Sequence, residues 1–212
     1  MSYRCKVTDS SGNTVYSKAA KLYVLCITQE PSSQYLKKGK TAVFSVKAKG
    51  AGLVFQWELK TPSSDEWKKV GSASPDKSRL MIEDVKPSWN RYRYRCKVSN
   101  AAGKAIYSKS AELSVLSIKS NPSTKYIKEG NTAVFNTSAT GIGLSYQWQV
   151  KDSEYSDWRY STGSGNSTAT LSIYGNTNYN GFRYRCMVTD GRGNVSYCQP
   201  ARIFVLGIKK NP

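Results

Sequence analysis

Three cysteines set the frame of this chain. Cys5, Cys96 and Cys186 lie 91 and 90 residues apart, and a tyrosine precedes each by two positions, at Tyr3, Tyr94 and Tyr184. The same spacing aligns Trp57 with Trp148, Trp67 with Trp158, and the Val-Leu pairs at 24–25, 115–116 and 205–206, with Pro31, Pro122 and Pro212 behind them. A period of this length exceeds that of a solenoid unit, so each copy reads as a whole domain that buries its own core.

Within one period the apolar residues alternate. AVFSVKAKG (42–50) ends on glycine, and LVFQWELK (53–60) turns Phe55, Trp57 and Leu59 to one face and Gln56, Glu58 and Lys60 to the other. SRLMIEDV (78–85) places Leu80 and Ile82 together. RYRYRCKVSNAAGKAIYSKSAELSV (91–115) reads as two strands about an Asn-Ala-Ala-Gly turn, and the other copies turn at DSSGN (9–13) and DGRGN (190–194). No segment holds a 3.6-residue apolar period over three turns. The composition agrees, since 15 tyrosines with abundant Ser, Thr, Asn and Gly favour strands and turns. About seven short strands per copy is the pattern of an all-β sandwich.

Certain positions are more specific. Trp57 on the third strand, Leu80-x-Ile82 ahead of a corner, Asn90 four residues before Tyr94, and Tyr94-x-Cys96 on the sixth strand resemble the immunoglobulin fold. Trp148, Leu171-x-Ile173, Asn180 and Tyr184-x-Cys186 repeat the set. The wording of the repeats (ITQEP, FQWELK, YRCKVTDSSGN, YQWQVKD) resembles the tandem Ig-like domains of large secreted or wall-attached proteins of Gram-positive, often anaerobic, bacteria. That resemblance covers essentially the whole chain. It implies tandem immunoglobulin-like Greek-key β-sandwich domains with a structural core of Trp57, Tyr94 and Cys96 in one copy and Trp148, Tyr184 and Cys186 in the next. It also implies a tyrosine corner in which each Tyr hydroxyl bonds backbone, and an extracellular or cell-surface setting.

The chain departs from that family in its cysteines. The strand-B cysteine that usually faces the strand-F one is replaced by Val46 in one copy and Thr137 in the other, so the sandwiches are expected to lack the inter-sheet B–F disulfide. The cysteine count of five is odd, so at least one thiol is free. Cys198 stands where the other copies have Ser17 and Ser108, opposite Cys186 in a hairpin. Two readings stay open there: a strained cross-strand Cys186–Cys198 bond, or two free thiols.

Registering the copies divides the chain into a partial repeat at 1–25, holding only the last two strands, and complete Ig-like domains at 26–116 and 117–206. Residues 207–212 read as the start of a further repeat. A lone hairpin is marginal in water, so 1–25 is expected to be disordered, or docked through Tyr3, Val7, Val15 and Leu22. LSVLSIKSNP passes from one domain to the next without a Gly- or Ser-rich linker, which predicts a semi-rigid array suited to projection.

The sequence holds no histidine, which excludes Ser-His, Cys-His and His-ligated sites. Its glycine turns lack phosphate-loop spacing. Asp152, Glu154 and Asp157 in KDSEYSDW read as a solvated turn without the spacing of a calcium loop. No catalytic residue, cofactor or metal is expected. No apolar run reaches the ~18 residues needed to span a bilayer, so membrane insertion is not expected.

Charge is the remaining functional signal. Lys and Arg number 32 against 14 acids, for a net +18, which attracts anionic partners of any kind. With Tyr92, Tyr94 and Cys96 facing inward, Arg91, Arg93, Arg95 and Lys97 line the outer face of their strand, and Arg183 and Arg185 repeat them. One reading is a solvated strand face, in which Glu58 pairs with Arg93 or Arg95 while Gln149 leaves the next copy less compensated. The other is a basic stripe that holds an anionic glycan, a cell-wall polymer or another protein. Inward tyrosines offer no stacking platform, so specific nucleic-acid binding is not expected. Trp67 and Trp158 are expected to pack, and Trp89 to be partly exposed. The expected function is a non-catalytic spacer region of an extracellular bacterial surface protein that contacts neighbouring Ig-like repeats. The alternatives are adhesion through the basic face, or an intracellular Ig array of the muscle-scaffold kind.

Overall fold

The computed structural model describes residues 1–74 and 76–207. Among these it contains strands, turns and two short 3-10 segments, Pro87–Trp89 and Thr177–Tyr179. The chain folds into two compact units that interleave along the sequence, one of Met1–Ser32, Val43–Leu80 and Arg93–Ala111, the other of Ser33–Ala42, Met81–Tyr92 and the chain from Glu112 on. The expected start of a further repeat at 207–212 lies outside the described residues, apart from Gly207.

In the first unit the strand Val54–Lys60 is central. Lys68–Ser74 pairs with it on one side and Tyr92–Ser99 on the other, all antiparallel, with Cys96 opposite Trp57 and Arg95 opposite Glu58. Ala105–Tyr107 adds to the far side of Tyr92–Ser99. The alternation of the sequence is what this register needs, because Phe55, Trp57, Tyr94, Cys96 and Val98 then fall on one buried face. Phe44 fills the space between them, stacked on Tyr94 at 4.7 Å and tilted to Trp57 at 6.4 Å. The Trp57 indole N–H donates to the Lys77 carbonyl at 2.9 Å, so the largest core side chain is buried with its polar atom satisfied.

The second unit repeats the plan around Ser145–Lys151, flanked by Arg159–Tyr160 and Arg183–Thr189, with Trp148 opposite Cys186. Ala201–Leu206 runs beside Arg183–Thr189 and pairs in parallel with Lys125–Lys128. Phe135 stacks on Tyr184 at 5.1 Å and tilts to Trp148 at 6.4 Å, and Trp148 donates its indole N–H to the Thr168 carbonyl. Leu171, Ile173 and Ile203 complete this core. Val46 and Thr137, at the missing cysteine positions, are both buried. The Thr137 hydroxyl donates to the Ser120 carbonyl at 2.8 Å, so a polar side chain replaces a cysteine there without an orphaned oxygen.

Two expectations change. Residues 1–25 form short antiparallel ladders, Ser2–Tyr3 with Ala20–Lys21 and Lys6–Thr8 with Thr14–Tyr16. Tyr3, Val7, Val15 and Leu22 are nonetheless exposed, so this segment is neither disordered nor docked through them. Gln56 and Glu58, assigned to the solvated face, are buried. The central strand is covered on both sides, and the cover on the outer side is an arginine-aromatic layer.

Candidate functional site

Strand alternation places Arg95 on the outer face of Tyr92–Ser99, and the register sets it across from Glu58. Its Nε donates to Glu58 Oε2 at 2.8 Å. The guanidinium carbon lies 4.2 Å from the Trp67 ring centroid and 4.4 Å from that of Tyr107. Arg95 is thus clasped between two rings, Tyr107 from the neighbouring strand and Trp67 from just before the strand Lys68–Ser74, with a carboxylate at its edge. Lys97 also lies over Tyr107, at 5.9 Å.

The second repeat builds the same clasp. Arg185 Nε donates to Gln149 Oε1 at 2.9 Å, and its guanidinium carbon is 4.2 Å from the Trp158 centroid and 4.3 Å from that of Tyr197. Burial pulls the Arg185 pKa below its usual value, and a guanidinium stays charged there all the same. In the N-terminal hairpin Arg4 lies over Tyr16 at 4.0 Å. Cation–π contacts of this kind are each worth about 0.5–2 kcal/mol, more as water is excluded.

The six expected anion contacts therefore have different fates. Arg95 and Arg185 are half-buried and engaged inside the fold. Arg183 pairs with Glu154 at 3.1 Å, and that arginine lowers the carboxyl pKa. Lys97 is half-buried against Tyr107. Arg91 and Arg93 are exposed. Arg91 adopts a positive φ of 69° as its N–H reaches the Leu113 carbonyl at 2.7 Å, so its place is set by the corner rather than by the strand. The structure brings Arg95 and Arg185 each to two aromatic rings. Reading only the tyrosines of the strand itself missed the clasp. Its signal was nevertheless present, because Tyr16, Tyr107 and Tyr197 recur with the period of the cysteines.

Trp67 and Trp158 pack as expected, onto guanidinium, and Trp89 is half-buried. Asp152 and Glu154 turn to different arginines, Arg159 and Arg183. Asp152 is held below the usual carboxyl range, chiefly by the Ser156 hydroxyl and then by Arg159. At the corner, Asn90 Oδ1 accepts from the Val115 N–H at 2.9 Å and Asn180 Oδ1 from the Val205 N–H at 3.0 Å.

All five cysteines are free thiols, so the structure holds Cys186 and Cys198 unbridged. The Cys198 sulfur accepts from the Cys186 N–H at 2.9 Å. Ser108 Oγ accepts from Cys96 N–H and Ser17 Oγ from Cys5 N–H, also at 2.9 Å. Cys198 is therefore a serine substitute in a repeated side chain-to-backbone bond, and its sulfur is aimed at that amide. Burial pushes the thiols of Cys96 and Cys186 up to about 12 and raises that of Cys198. Such thiols are poor nucleophiles at neutral pH.

No helix among the described residues is long and apolar enough to cross a membrane. No curated protein sequence matches the chain. Among solved structures, an I-band fragment of titin is similar at 14% identity, with a TM-score of 0.53, over 97% of this chain and 74% of its own. Extracellular domains 3–5 of Drosophila OTK are similar at 17% identity, with a TM-score of 0.48, over 97% of this chain and 71% of theirs. The immunoglobulin I-set domain model matches residues 25–115. That stretch is therefore similar to an immunoglobulin I-set domain, and the chain has the all-β fold of tandem immunoglobulin-like sandwiches.

Proposed function

We propose that the chain is a non-catalytic structural region of an extracellular surface protein, in which Ig-like domains at 26–116 and 117–206 space or present other modules. The observation that carries this reading is the strand Ala111–Ser120. Its Leu113–Leu116 stretch pairs in parallel with Gln34–Lys37, and its Ser117–Ser120 stretch pairs antiparallel with Ser138–Thr140. One uninterrupted element thus closes one repeat and opens the next. The Thr140 hydroxyl donates to the Val115 carbonyl at 2.9 Å, the Asn194 side chain donates to the Tyr35 carbonyl at 3.1 Å, and Arg192 lies over the Tyr35 ring at 5.3 Å. Support for the non-catalytic part is chemical: no histidine, Glu58, Asp152 and Glu154 each paired with an arginine, and buried thiols with raised pKa values. A bacterial source rests on the wording of the repeats alone.

The clasped arginines count against the basic-stripe reading, because rings cover both Arg95 and Arg185 and the Arg95 charge is already matched by Glu58. The test is binding of the full chain to teichoic acid and to heparin over a salt series. The expected result is weak binding that vanishes by about 0.15 M salt, as for unspecific charge attraction. Saturable binding that survives salt and is lost on Arg91→Ser with Arg93→Ser would make the chain an adhesin and overturn the spacer reading.

A further inference from the structure

A second surface of the 117–206 repeat is built differently from its sister. In the first repeat the strand beside Val54–Lys60 runs seven residues, Lys68–Ser74. Its counterpart Arg159–Tyr160 has two. Beyond Tyr160 the chain leaves that edge and crosses to the other sheet, where Ser164 bridges Ser172 and Ser172 N–H donates to the Ser164 carbonyl at 2.8 Å. The crossing is tied down by Asn166, whose side chain donates to the Ser161 carbonyl at 2.7 Å. Gly163 suits this crossing, because a Cβ there would meet the Ser172 carbonyl oxygen at 2.9 Å as well as the Ile173 and Leu171 side chains. The crossing leaves an open-sided groove of about 650 Å³ with Val150, Ile173 and Tyr184 among its lining, within the size range of small-ligand sites.

Three tyrosines line this groove and are exposed: Tyr160 at 65%, Tyr174 at 68% and Tyr179 at 40%. Packing does not demand the first two, since the sister repeat carries Lys69 and Glu83 at the equivalent places. The lining also carries hydroxyl and amide side chains, from Ser161, Thr162, Ser164 and Asn176. The charged residue of the lining, Arg159, is paired with Asp152 at 3.1 Å. Flat apolar rings surrounded by neutral donors and acceptors match a pyranose, which has a C–H face and a hydroxyl rim.

We propose that this groove is a binding site for a neutral oligosaccharide. It shares no residue with the arginine clasps or the repeat join, so it stands or falls independently of the spacer reading. The test is amide chemical-shift titration of the full chain with cellotetraose, maltotetraose and the β-1,4-linked N-acetylglucosamine tetramer, each to about 10 mM, at low and high salt. At least one should give saturable shifts at Tyr160, Ser161, Gly163 and Tyr174, with a Kd on the order of 0.1–1 mM that salt leaves unchanged. The double variant Tyr160→Lys, Tyr174→Glu copies the sister repeat, should keep a dispersed spectrum, and should weaken binding about tenfold or more, equivalent to at least ~1.4 kcal/mol. Tyr179→Trp, which keeps a platform and copies Trp89, should retain binding. Silence from all three sugars, shifts that fade with salt, or binding undiminished in the double variant would overturn the proposal.

Discussion

Arg95 and Arg185 occupy equivalent positions in equivalent clasps, yet their partners differ by one atom type. Arg95 neutralises Glu58, whose side chain is only 11% exposed, whereas Arg185 bonds the neutral Gln149. Removing a charge beside a buried opposite charge costs more than removing it from an amide, because the abandoned carboxylate has no water to turn to. Arg95→Ala is therefore expected to destabilise its repeat by about 3 kcal/mol, and Arg185→Ala by about 1–2 kcal/mol. Native-state hydrogen exchange of the Tyr92–Ser99 and Arg183–Thr189 amides would read each repeat separately. Equal losses would mean that the rings, not the carboxylate, carry both clasps. Cys198 makes the opposite kind of prediction. Serine already accepts the same amide in the other two copies, so Cys198→Ser should change stability by less than about 0.5 kcal/mol, measured by urea denaturation. A larger loss would show that the sulfur packs in a way oxygen cannot.

Between residues and domains, the corner asparagines hold strands together. Asn90 and Asn180 each follow a 3-10 turn and each bond the N–H of a residue in the closing strand, Val115 or Val205. Alanine at either site would leave that strand N–H without its acceptor, a cost of about 1–3 kcal/mol. Aspartate keeps the acceptor and should cost much less. A thermal melt in which alanine and aspartate variants fall together would show that the amide nitrogen, not the oxygen, matters. The same scale explains why the two repeats differ. The strands Lys68–Ser74 and Arg159–Tyr160 begin at the same point after a tryptophan but run seven and two residues, and the second is followed by the Ser161–Asn166 crossing that lines the groove.

Taken as a whole, the chain joins a large positive charge to a set of buried neutral acids. The folded state holds the Cys96 and Cys186 thiols and the Tyr184 hydroxyl in their protonated forms, with pKa values pushed up to about 12 chiefly by burial. Because these values exceed those of the unfolded chain, their effect favours the fold fully below the unfolded pKa and is lost as pH rises. For the thiols that loss begins near pH 9 and is complete by about 12. Stability is expected to be flat from pH 6 to 8 and to fall steeply above pH 9, as followed by tryptophan fluorescence in urea. Replacing Cys96 and Cys186 with alanine should flatten that alkaline limb. An unchanged limb would assign it to the tyrosines.

Much of this was decided by sequence alone. Period and alternation determine the repeat, the strands, the inward set Trp57, Tyr94, Cys96 and its twin, and the turns with Gly12, Gly103 and Gly193, whose positive φ values the DSSGN, NAAGK and DGRGN stretches accommodate. These are local properties, in which side-chain direction follows position along one strand. Only the tertiary structure decided what lies across from each outward residue. Arg95 meets Trp67 and Tyr107 because four paired strands bring their segments together, and Cys198 meets an amide because its hairpin sets it there. The groove is lined by residues from segments far apart in the chain, from Thr132 to Tyr184. Each of these depends on contacts between segments distant in the chain, where a shift of one residue would turn every side chain to the other face.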